Sequence, residues 1–160
     1  LAFEPPEPDI MSRKPRDPKE PLLSTFLIWR ILFVSSLFLV GIFGAFHWTL
    51  SQGYSLDVAR TMAVNALVSM EVFYLFSVRY LKSRSFSWIG VQGTPRVLGA
   101  VGFVVALQIG MTYLPWLQTV FETKPLGVGQ LGIVVAIGVA VLLVLELEKM
   151  VLRQRQTTPP

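Results

Sequence analysis

The chain has 160 residues, of which 52% are hydrophobic and only 15% charged, with a formal net charge of +4. That is too apolar for an ordinary soluble domain, and the cations flank apolar runs instead of forming a basic helix face, which excludes a nucleic-acid partner. The absence of cysteine and the single histidine, His47, exclude disulfides, thiolate metal sites and a multi-histidine centre. The composition predicts an all-α polytopic membrane protein embedded in the lipid bilayer.

Residues 1–25 hold six of the eleven prolines, in FEPPEPD and RKPRDPKEP. Proline removes backbone donors and pushes its preceding residue out of the helical region, so this stretch reads as an extended surface loop. It begins with Leu and carries no signal-peptide pattern, which reads as a fragment of a longer polypeptide. A membrane domain is expected over 26–155, followed by a tail at 156–160. Its first span is about 26–50, where Arg30 is expected to snorkel to the headgroups and His47 and Trp48 mark the far interface. Gly41 and Ala45 form a small-xxx-small pair suited to close helix approach.

The second span, about 58–79, carries Asn65 and Glu71 well inside an apolar run. A central acidic residue costs roughly 2.5–3.5 kcal/mol on insertion scales, so Glu71 demands a reason. At 100° per residue Thr61, Asn65, Ser69 and Glu71 share an arc of about 160°, expected to face a bundle interior. Asn65 and Ser69 fit interhelical hydrogen bonding as readily as function. Glu71 fits ion or proton handling, or a structural pair with Arg60, Arg79 or a neighbouring helix.

The third span, about 97–114, bears a small-residue stripe of Gly102, Ala106 and Gly110 with Gly99 nearby, and is ended by Pro115 and Trp116. The fourth, about 131–147, bears Gly132, Ala136 and Ala140; both stripes are expected to be packing faces. The amino-terminal segment, the 79–96 loop and the carboxyl tail hold eleven of the fourteen Lys and Arg residues, while the other two connections hold Lys124 alone. The positive-inside rule then places both termini in the cytoplasm and yields an antiparallel bundle of four transmembrane helices.

The chain has no phosphate-binding glycine loop, DKTGT-like phosphorylation motif, Ser/His/Asp constellation or metal-ligand spacing. Its opening stretch, with Glu4-Pro5-Pro6, Asp9-Ile10-Met11, Arg13, Pro15-Arg16 and Lys19-Glu20-Pro21-Leu22, closely resembles the loop after the sixth transmembrane helix of type II P-type cation-transporting ATPases. Thr61-Met62-Ala63, Leu67-Val68 and Glu71 look like the TMA-x-x-x-LV-x-x-E pattern of calcium pumps and their bacterial relatives. Glu146, Lys149 and Arg153 resemble the exit of the last helix. The resemblance implies helices seven to ten of such a pump in a bacterial plasma membrane, with Glu71 a ligand of the transported cation, Ca2+ being the first candidate. Asn65 is the weaker second ligand. It also implies a coupling loop in which Glu4, Asp9, Arg13 and Arg16 contact the phosphorylation domain. ATP, Mg2+ and the partner transmembrane helices would belong to the upstream part of the pump. The alternative is a free-standing four-helix membrane scaffold or regulatory subunit.

Overall fold

The computed structural model describes residues 25–79 and 95–157, so the coupling-loop residues Glu4, Asp9, Arg13 and Arg16 lie outside the described residues. Five helices follow one another: α1 (Thr25–Ser51), α2 (Leu56–Arg79), α3 (Pro95–Tyr113), α4 (Pro115–Phe121) and α5 (Val128–Thr157). No strand occurs among the described residues. In hydrocarbon every backbone N–H and C=O needs an internal partner, which is why these apolar runs resolve as continuous helices. Three of them are long and apolar enough to cross a membrane, and the bent pair α3–α4 makes a fourth if taken as one span. The all-α polytopic bundle expected from composition is what the chain forms.

Punctuation residues set the breaks. Gly53, with φ +80°, turns the chain between α1 and α2 in a conformation that glycine adopts without strain. Pro115 opens α4; its ring disfavours helical backbone at Leu114, which is extended at φ −80° and ψ 122°, and α3 ends there. α4 leaves the axis of α3 at 85°. A helix thus stands inside the segment expected to be a plain connection.

The core is built by α1, α2 and α5. Toward one end Ala45 of α1 meets Met62 and Ala66 of α2, Val134 of α5 and Leu126 before it. Toward the other, Met70 is enclosed with Val141 and Leu145, against Phe33, Val34, Leu37 and Phe38 of α1. These pairings make α1 antiparallel to both partners, while α2 and α5 run parallel. The rings of Phe38 and Tyr74 meet edge-on at 5.8 Å.

Close approach depends on two glycines. A Cβ on Gly41 would lie 2.5 Å from Sδ of Met70, and one on Gly138 would run into Phe73 and Ser69. Gly41 and Ala45 therefore act as the expected small pair. The other two stripes do not. Gly99, Gly102 and Gly132 have open space where a Cβ would go, and Ala106, Ala136 and Ala140 are exposed. Gly110 meets only Leu114 and Leu117 of its own segment. Four-residue spacing of small side chains marks a surface able to pack, but shape and neighbours decide which surface does. Arg30 also departs from expectation: it is 8% exposed, buried within the protein instead of reaching out.

Candidate functional site

The polar arc of α2 divides between two environments. Thr61 and Asn65 are buried, Ser69 is half-buried beside Gly138, and Glu71 is exposed. Glu71 shares its open face with Arg60, Val64 and Leu75, also exposed. Among the described residues no hydrogen bond or ion pair reaches its carboxylate. Arg60 instead pairs with Glu122 at 3.3 Å, and eleven residues of helix put it about 16 Å from Glu71 along the axis. The expected pairing of Glu71 with Arg60 is thereby replaced, and the side chain of Arg79 lies outside the description.

Asn65 is engaged elsewhere. Its Nδ2 donates to the Thr61 carbonyl at 2.8 Å and to Oγ1 of Thr112 on α3 at 3.1 Å. The single hydroxyl proton of Thr112 goes to the Gln108 carbonyl at 2.8 Å, leaving its oxygen free to accept from Asn65. Thr61 Oγ1 donates to the Asp57 carbonyl at 2.7 Å and accepts from the Lys124 backbone N–H at 2.9 Å. Six residues of helix place Asn65 and Glu71 about 120° apart. The structure does not bring them together.

The other end of α2 is held by a cluster that sequence reasoning missed. Lys149 of α5 is 3% exposed. Its Nζ donates to the Ser77 carbonyl at 2.5 Å and to Glu146 Oε1 at 2.8 Å, while the Ser77 hydroxyl donates to the same carboxylate oxygen at 3.2 Å. Ser77 lies in the last turn of α2, where carbonyls lack intrahelical partners and the helix dipole favours a cation. A Glu-x-x-Lys pair inside an otherwise apolar helix was the available signal, and it read only as a helix stop. Glu71 sits about 9 Å from Ser77 along the axis, between this tie and the Asn65 clamp. Its depth and direction are fixed from both sides.

Among the described residues no three His, Asp or Glu side chains gather as a metal site. A hard cation such as Ca2+ takes six to eight oxygens, more than the described residues gather around Glu71. Beside α2 a groove of about 510 Å³ opens toward α3 and α5, lined by Val68, Phe73, Gln108, Ile109, Leu131 and Val135.

The family described as "Cation transporting ATPase, C-terminus" matches residues 1–151. The chain is 38% identical over 159 residues to a protein of Mycobacterium tuberculosis named "Probable cation-transporting ATPase F", covering 99% of this chain and 18% of that protein. It is 37% identical over 131 residues to a cation-transporting ATPase of Synechocystis, covering 79% and 14%. It is 30% identical over 138 residues to a calcium-transporting ATPase of Bacillus subtilis, covering 84% and 15%. The chain thus spans less than a fifth of the length of these relatives. The match over nearly the whole length shows that the chain belongs to the C-terminal family of P-type cation-transporting ATPases.

Proposed function

We propose that this chain supplies support helices and one ligand, Glu71, to the membrane domain of an ATP-driven pump that moves a cation out of the cytoplasm. Ca2+ is the first candidate, a choice supported by the calcium-transporting relatives of Bacillus subtilis and Yarrowia lipolytica. The observation that carries the reading is the bare carboxylate of Glu71, held at mid-helix on the face of α2 that the chain's own helices leave open. Such a group in hydrocarbon requires a cation, a proton or a partner. The upstream helices of the same pump would close over it and complete the oxygen shell. Asn65 is a weaker contributor, since its amide nitrogen already clamps α3.

In this reading both termini are cytoplasmic, as the cation distribution favours, and the bilayer is a bacterial plasma membrane. Glu4, Asp9, Arg13 and Arg16 couple the phosphorylation domain to the helices, and ATP and Mg2+ act upstream. The test is Glu71→Gln in the intact pump, read as cation-activated phosphorylation from ATP. Apparent cation affinity should fall at least about tenfold, equivalent to about 1.4 kcal/mol. The unfolding midpoint should stay put, because Glu71 bonds to nothing among the described residues. Unchanged affinity and stoichiometry would remove Glu71 from the site.

A further inference from the structure

We infer that α4 is an interfacial anchor, lying flat in the lipid headgroup layer at the end of the bundle that carries Asp57 and Glu122. Three independent features of the segment agree.

The first is direction. α3 is apolar along its length, and α4 departs from it at 85° across a single residue. A helix leaving a spanning helix at nearly a right angle runs along the membrane surface. Its level is marked by aromatic residues at the same end of the neighbouring helices, Trp48 at the end of α1 and Tyr54 before α2, both partly exposed at 37% and 47%. Tryptophan and tyrosine favour this layer because their rings are apolar and their N–H or O–H is wet.

The second is pattern. At 100° per residue Trp116, Val120, Leu117 and Phe121 occupy an arc of about 140°, while Pro115, Gln118 and Thr119 fill the rest. Trp116, Val120 and Phe121 are 66%, 68% and 56% exposed, so most of the apolar arc lies open among the described residues, Leu117 alone being half-buried.

The third is which way that arc turns. Leu117, within it, approaches Gly110 of α3, below the end of the span: a Cβ on Gly110 would sit 3.6 Å from its Cδ1. Leu117 therefore turns back toward the hydrocarbon, on the edge of the arc that Trp116 and Val120 carry to the outside. Thr119, Glu122, Thr123, Lys124 and Asp57 line a polar basin beside the helix, with Gln118 between that basin and α3. The bend is braced by Gln118 Nε2 donating to the Thr112 carbonyl at 2.7 Å and Thr123 Oγ1 donating to the Met111 carbonyl at 2.7 Å. An amphipathic helix with this orientation buries its apolar face at the headgroup–acyl boundary.

The experiment uses the intact polypeptide in lipid vesicles, with any cysteine elsewhere replaced; this chain itself has none. Trp116→Cys, Val120→Cys, Phe121→Cys and Thr119→Cys are each spin-labelled, and collision rates are measured with molecular oxygen, which concentrates in lipid, and with a water-soluble nickel chelate. The three apolar positions should collide more with oxygen and Thr119→Cys more with nickel. Nickel preference at all four positions would put α4 in water and overturn the inference. So would positions 116, 120 and 121 being closed to both reagents, which would mean that protein covers them. Val120→Cys serves if the tryptophan variant does not fold.

Discussion

The α1–α2–α5 unit and α3 are both made of apolar, glycine-bearing helices, yet they stand in opposite situations. In the first, glycines admit a neighbour's side chain, two buried clusters run the length of the seam, and a buried lysine ties two helices together. α3 touches α2 near one end through Asn65 and Thr112, and its remaining length shows Leu98, Phe103, Val104, Leu107 and Ile109 to the outside. Lipid tails are as apolar as leucine, so exposure of such residues costs nothing in a bilayer and helices associate only where shapes and polar groups fit. The difference teaches that fit, not apolar length, decides packing: among the described residues α1, α2 and α5 share a fitted seam, while α3 is held near one end. Glu71, on the bare face of α2, lies outside that seam.

The contrast is broken most directly by matched glycine substitutions. Gly138→Val in this chain, reconstituted in a bilayer mimic, should drive α2 from α5 and cost about 3 kcal/mol, the upper end for overpacking a fitted interior. Gly102→Val, where a Cβ has open space, should leave stability unchanged. The readout is the detergent fraction at which helical circular dichroism is half lost. Equal losses in both variants would end the distinction between the two regions. The same pair made in the intact pump sharpens it: a loss for Gly102→Val appearing only there would show that an upstream helix closes on α3.

Next in size is the Lys149 tie. Lys149→Met removes the ammonium that the Glu146 carboxylate and the Ser77 carbonyl share, and loss of a buried hydrogen-bonding partner costs about 2 kcal/mol. Pairing it with Glu146→Gln should recover part of that loss, because the bond between the two side chains is then no longer there to lose. A double variant as unstable as the sum of the singles would show that the two residues act independently and that α2 is not held this way.

The sequence carried the fold class well because hydropathy is a one-dimensional property: run length and the placement of cations suffice for helices that cross a membrane. Packing is not one-dimensional. Gly132, Ala136 and Ala140 have the right spacing and face away, while Gly138, outside that stripe, takes Phe73 and Ser69. The arc of Thr61, Asn65, Ser69 and Glu71 looked continuous on a wheel, but a helix in a bundle has several neighbours and one arc can straddle two. Arg30 was expected at the headgroups and is buried, a result that depends on what packs around it. α4 was hidden because seven residues give too short a period to separate from a loop, although Leu114-Pro115 marked its start.

The smallest expected effect concerns the direct hydrogen bond between α2 and α3. Asn65→Leu and Thr112→Val each remove the hydrogen bond that joins α2 to α3, and side-chain bonds between membrane helices are worth about 0.6 kcal/mol on average and about 1.7 at most. A loss of about 1 kcal/mol is expected for each, with the double variant no worse than either alone, since the second substitution has nothing left to break. Gln118 and Thr123 still brace the end of α3 through the Thr112 and Met111 carbonyls, so the helix should tilt about that brace without detaching. A larger cost for Asn65→Leu than for Thr112→Val in the intact pump, accompanied by weaker cation binding, would mean that the Asn65 amide also serves the site beside Glu71. Equal costs with cation affinity unchanged would leave Asn65 as a clamp between α2 and α3 and take it out of the proposed cation site.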